Sequence, residues 1–233
     1  MKKSTQIYLI FLAVIIGAAA FFLFSGKPNM EELKKSVAPA ASLYPEAKSA
    51  SEKLNFINDA SEATHLSKIS DGKWALLYFG YTSCPDVCPI DLSKINLTHQ
   101  LMINNDKLQV VFVSVDPMRD LGNLDKFASA FNPTFVGLTA HQDELMAISK
   151  SLGVYHEVVQ AQVLSQEDHS NHADHGEHSH DKHGSKEAAH YDIDHTSSYL
   201  LFSPDLKLTA LLTSPHEPPA MAKAIDRIIE NLR

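Results

Sequence analysis

Cysteine is scarce: the 233-residue chain holds two. Two thiols exclude a disulfide scaffold and a four-cysteine zinc module. Positive charge is also in deficit, with 20 Lys plus Arg against 28 Asp plus Glu and a net charge of -8. No basic block interrupts this acidity. Binding to nucleic acid or to anionic lipid headgroups does not fit, because phosphate neutralisation needs clustered Lys and Arg. No internal repeat is visible. What the chain does have is the composition of a globular protein, 44% hydrophobic and 21% charged. It also has 13 histidines, seven of them crowded into one short stretch.

An apolar run from Ile7 to Phe24 carries no charge and follows Lys2 and Lys3. Its length is close to that needed to span a bilayer, and the flanking positive charge predicts a cytoplasmic N-terminus. A cleaved signal peptide is the alternative, with Ala18, Ala19 and Ala20 as its small-residue region, but Phe21 to Phe24 continue the apolar run past them. The expected organisation is a membrane anchor over residues 1–26, a tether over 27–53 and one domain over 54–233. The expected location is a bacterial inner membrane, single-pass, with the domain on the periplasmic side.

Trp74 to Tyr81 (WALLYFGY) and Leu108 to Val115 (LQVVFVSV) are nearly continuous apolar runs, as central strands covered on both faces require. Between them, Leu92, Ile95, Leu97, Leu101 and Met102 recur at helical spacing. Helices over Leu121–Phe131 and Asp143–Leu152 flank a short strand at Thr134–Leu138. Ser198–Phe202 and Leu206–Leu212 bracket a Ser-Pro-Asp turn, a hairpin signal, and Pro219–Leu232 reads as a closing amphipathic helix. This order predicts an α/β fold with helices on the faces of the sheet.

The strongest chemical signal is Cys84-Pro85-Asp86-Val87-Cys88-Pro89, which puts both cysteines into one Cys-x3-Cys pair where the first central strand meets its helix. Ligands and reactive groups favour the carboxyl ends of strands in open α/β sheets. A helix N-terminus there favours the thiolate. One helical turn separates the two sulfurs, so they can bond to each other or converge on one ion. A plain stabilising disulfide is the alternative in an oxidising compartment. However, a bridge closing so short a loop restrains the unfolded chain little. Two thiolates suit Cu(I), and a site that also holds Cu(II) wants a third ligand. His195, in Ile193-Asp194-His195-Thr196, is the candidate for that ligand; a hydrogen-bonded structural histidine is the other reading of it.

The run Tyr78-Phe79-Gly80-Tyr81-Thr82-Ser83-Cys84-Pro85-Asp86-Val87-Cys88-Pro89, followed by Val113-Ser114-Val115-Asp116-Pro117 and by Asp194-His195, resembles the Sco/SenC family of membrane-anchored copper proteins. The resemblance covers about Leu54 to Leu232 and the N-terminal anchor. It implies a thioredoxin-like fold, a central mixed sheet flanked by helices, with copper held by Cys84, Cys88 and His195. It also implies delivery of copper to the dinuclear copper site of cytochrome c oxidase subunit II, or to another exported copper protein, with a thiol reductant as a further partner. Leu121 departs from the Thr usual after the VDPxRD-type motif, and Ser83 stands where many members have His. Two other functions stay open. One is a thiol-disulfide oxidoreductase that keeps a partner's copper-ligand cysteines reduced; the other is a periplasmic metal buffer. The Cys-x3-Cys spacing departs from the Cys-x-x-Cys of most dithiol oxidoreductases, and thiol exchange has no necessary role for His195. Both points favour the chaperone, a binding and transfer protein without catalytic turnover. Asp116 reads as a structural residue before Pro117.

A larger departure from the family is the segment 165–191, with His169, His172, His175, His178, His180, His183 and His190 among six acids and two lysines. Almost without apolar residues, it is expected to be a flexible insertion rather than part of the core. Imidazole binds Cu(II) and Zn well, so this segment is a candidate secondary metal site.

Overall fold

The computed structural model describes residues 11–17, 29–49, 53–159, 192–195 and 197–232. Residues 11–17 are helical. Among the described residues no helix is long and apolar enough to cross a membrane, and most of the expected span Ile7–Phe24 lies outside them.

Strand β4 (Trp74–Gly80) is buried along its whole length, as its unbroken apolar sequence predicts. It pairs in parallel with β5 (Leu108–Ser114), which in turn pairs in parallel with β6 (Val136–Leu138). On its other side β4 meets β9 (Tyr199–Phe202) antiparallel, and β9 forms the expected hairpin with β10 (Lys207–Leu212). With β1 (Ala41–Ser49) at one edge, the result is a six-stranded mixed sheet in the order β1-β10-β9-β4-β5-β6. Helices α3 (Val87–Leu101), α5 (Leu124–Phe131) and α7 (Pro218–Asn231) flank it. This is the thioredoxin-like α/β architecture expected from the resemblance. Trp74, Tyr78, Tyr199, Phe79, Phe112 and Phe202 are among the largest side chains buried in its core.

The expected tether needs correction, because residues 30–49 belong to the folded domain. Helix α1 (Met30–Val37) starts at Asn29, whose side chain accepts from the Glu31 and Glu32 N–H groups. Such a cap satisfies two of the otherwise orphaned amides of the first turn. The helix buries Leu33 and Val37 and packs against α7. Strand β1 (Ala41–Ser49) then pairs antiparallel with β10 as the edge of the sheet. Its register shifts between Leu43 and Lys48, across Pro45; proline lacks an N–H to donate and is tolerated at an edge.

Smaller differences have local causes. The helix expected over Leu121–Phe131 begins only at Leu124, as α5, and a separate one-turn helix, α4 (Pro117–Asp120), precedes it; between them Gly122 adopts φ +90, a conformation glycine takes at no steric cost. A small hairpin of β2 (Asn55–Ile57) and β3 (Ala63–His65) precedes the short helix α2 (Leu66–Ser70). The helix predicted at Asp143 is α6 (Gln142–Leu152), ended by Gly153 at φ +73. It leads into β7 (His156–Val159), which pairs antiparallel with β8 (Asp192–His195) as a separate two-stranded ribbon.

Candidate metal centre

Because β4 and β5 are parallel, their carboxyl ends open on the same side of the sheet, joined by the Val115 N–H to the Gly80 carbonyl at 2.8 Å. The cysteine loop leaves β4 there and α4 leaves β5 beside it. Cys84 ends a turn in which its N–H donates to the Tyr81 carbonyl at 3.3 Å. Cys88 follows in the first turn of α3, and its backbone N–H donates to Cys84 Sγ at 3.3 Å. One sulfur thus caps the helix that carries the other, since Asp86 at the cap position makes no side-chain capping bond. Pro89 is accommodated because first-turn amides have no helical acceptor.

Both cysteines are free thiols, not a disulfide. Cys84 retains 8% exposure and Cys88 none. Burial pushes the Cys88 thiol up to about 12, against the opposing effects of hydrogen bonds from the Tyr78 hydroxyl and the Tyr81 backbone. Contact with the Cys84 thiol raises it further. At neutral pH the metal-free site therefore holds Cys88 protonated. Gly80 makes room for this sulfur: a Cβ there would lie 2.8 Å from Cys88 Sγ and 3.2 Å from the Phe112 ring. Behind Cys88, Tyr78 meets Tyr199 edge to face at 5.4 Å between ring centroids, and burial raises the pKa of both phenols.

His195 is the last residue of β8, opposite His156. Four residues later Tyr199 pairs with Tyr78 of β4, so the chain after His195 enters the central sheet near the end from which the cysteine loop departs. The His195 side chain itself lies outside the described residues. So do His169, His172, His175, His178, His180, His183 and His190. Among the described residues no group of three or more His, Cys, Asp or Glu side chains stands ready to hold a metal ion. Cys84 and Cys88 are brought together; the third expected ligand is not part of that description.

Two acids after β5 take different parts. Asp116, read from sequence as structural, pairs with Arg119, and its backbone N–H donates to the Ser114 hydroxyl oxygen. Asp120, the last residue of the VDPxRD-type motif, was given no role in the sequence reading, yet its fully buried carboxylate accepts from the Thr82 N–H, the Thr82 hydroxyl and the Ser114 hydroxyl. The available signal was two acids closely following a buried strand, in a segment that a parallel partner sets beside the cysteine loop.

Fold and site together define a thioredoxin-like domain that presents a reduced dithiol at the mouth of its parallel strands. A family model described as SCO1/SenC matches residues 44–230, well over half of the chain, and the protein belongs to the SCO1/SenC family. It is 28% identical over 173 residues to an SCO2-like protein of Rickettsia prowazekii, covering 73% of this chain and 80% of that one. It is 27% identical over 165 residues to the mitochondrial SCO1 homolog 1 of Arabidopsis thaliana, covering 70% of this chain but only 42% of the plant protein's length. Among solved structures it is similar to Bradyrhizobium japonicum ScoI with copper bound, at 27% identity and a TM-score of 0.54, covering 74% of this chain and 95% of that one. Apo Sco1 from Thermus thermophilus matches at 26% identity and a TM-score of 0.56, over 83% and 94% of the respective chains.

Proposed function

We propose that this protein is a copper chaperone that carries copper on Cys84, Cys88 and His195 and delivers it to the dinuclear copper site of cytochrome c oxidase subunit II. The observation that carries this reading is the pair of free, touching thiols at the start of α3. Reduced sulfur is the form that ligates soft metal, and a closed disulfide would offer none. The donor set fits the cargo: two thiolates suit Cu(I), and one imidazole completes a set that also accepts Cu(II). Copper here is substrate, taken up and passed on. Membership of a family whose members include a protein solved with copper bound supports the same reading.

The chain's own residues prepare the site. The Cys88 N–H donates to Cys84 Sγ, while the Tyr78 hydroxyl and the Tyr81 N–H stabilise negative charge on Cys88. Metal uptake must displace the thiol protons.

We place the domain on the periplasmic face of a bacterial inner membrane, anchored by the N-terminal apolar run. The His-rich segment 165–191 is proposed as a secondary binder of Cu(II) or Zn. The test is metal analysis of the reduced protein after copper titration, with His195→Ala alongside. The expected result is one tightly held copper at the cysteines in the parent and a severe weakening in the variant. Unchanged affinity in His195→Ala would remove the histidine from the site.

A further inference from the structure

We infer that Asp120 is a positioning residue that holds the cysteine loop in its ligand-ready shape. Its functional meaning rests on the copper reading above; its geometry does not. The Asp120 side chain is 0% exposed, and a carboxyl group so removed from water must be met by hydrogen-bond donors. Three neutral donors meet it: the Thr82 N–H at 2.8 Å, the Thr82 hydroxyl at 2.6 Å and the Ser114 hydroxyl at 2.6 Å.

Thr82 stands two residues before Cys84, whereas Ser114 is the last residue of β5. The carboxylate therefore fastens the root of the cysteine loop, through both backbone and side chain, to the neighbouring parallel strand. Arg119 reinforces the contact, its guanidinium lying 5.7 Å from the centre of the Tyr81 ring while it pairs with Asp116. Helix α4 is a single turn of four residues, so side-chain bonds rather than helical packing hold it against the loop. Tyr81, beside the fastened residue, is what the sulfurs depend on: its carbonyl accepts from the Cys84 N–H and its backbone hydrogen-bonds Cys88. Releasing Thr82 should loosen both sulfurs at once.

The test uses the full chain in its reduced form, with two readouts: the alkylation rate of Cys88 without metal, and the copper-thiolate absorption after titration with copper. Asp120→Ala, which removes all three bonds, and Thr82→Val, which removes one, should each speed Cys88 alkylation by about tenfold or more, the factor expected for losing even one hydrogen bond to a charged acceptor. Both should also shift the absorption band. Asp120→Asn should restore both readouts, because its amide oxygen can accept from the Thr82 N–H while its NH2 donates to the Thr82 hydroxyl. Asp226→Ala is the stability control. It removes comparable bonds to the Ile103 N–H, the Asn104 N–H and the Asn104 side chain at the other end of α3, and it should lower the melting temperature without moving either readout. If Asp226→Ala raises Cys88 alkylation as much as the Asp120 and Thr82 variants do, the effect is general loosening and the inference fails. It fails equally if Asp120→Ala leaves alkylation at the parent rate. Should Asp120→Ala not fold, Thr82→Val against Asp226→Ala decides. Absence of copper-thiolate absorption in the parent would instead overturn the copper reading, and alkylation would still judge the clamp.

Discussion

Cys88 sits deeper than Cys84, and their reactivities should differ accordingly. Cys88 has no exposed surface and a thiol pushed up to about 12 by burial, while Cys84 lies in the turn at the mouth of the site. Brief alkylation of the reduced, metal-free protein should label Cys84 first, and peptide mass analysis would show it; equal labelling would contradict the buried setting of Cys88. A second residue-scale expectation concerns His216. It is buried, stacks on Tyr199 at 3.9 Å, and its Nε2 lies 3.1 Å from the Leu212 carbonyl. Burial lowers its pKa below the ordinary 6.5, so the fold prefers neutral imidazole. The stabilisation is then complete above the unfolded value and is lost as pH falls through the folded one. Denaturant unfolding should show stability dropping below pH about 6.5, and His216→Phe should flatten that dependence. The cysteine pair was legible in the sequence because its meaning is local, two sulfurs one helical turn apart. Asp120, Tyr78 and Gly80 were not, because each acts through a contact that only the sheet creates. Asp120 lies 38 residues from the threonine it holds.

Among elements, the buried strands announced themselves. β4 and β5 are covered on both faces, so nearly every position is apolar, with Gln109 and Ser114 of β5 the polar exceptions. β1 is an edge strand interrupted by Pro45, and its sequence, ASLYPEAKS, carries no such run. Helix α1 hides for a related reason: eight residues give only two fully buried positions. Yet those positions matter. Leu33→Ala should cost about 2–4 kcal/mol, as large-to-small changes in a packed core do, and a fall in the denaturation midpoint would register it. No loss would return residues 30–49 to the status of a tether. The late ribbon of β7 and β8 escaped the sequence because its strands join across the His-rich segment, where no apolar alternation signals pairing. For that segment the expectation is separable from the fold. Removing residues 167–187 should lower the number of Cu(II) or Zn ions bound per chain while leaving the copper-thiolate absorption and the melting temperature in place. Loss of folding would show that part of the core had been removed.

On the scale of the whole molecule, a common α/β scaffold brings two strand ends together and uses them differently. One supplies the sulfurs; the other supplies the acids and the arginine that fix the loop carrying them. The polypeptide that enters the sheet at Tyr199 brings His195 in just before it. The fold and the pairing of the two cysteines were legible through one compact motif and two apolar runs, while the clamp between the two strand ends needed the tertiary structure. The account stands on the two cysteines as copper ligands. The measurement that tests this most directly is the absorption spectrum of the reduced full chain titrated with Cu(II), set beside that of the Cys84→Ser, Cys88→Ser double variant. Sulfur-to-copper charge transfer should appear in the parent at one equivalent and be missing from the variant, whatever copper its histidines still bind. Charge-transfer absorption that survives in the variant would contradict the account.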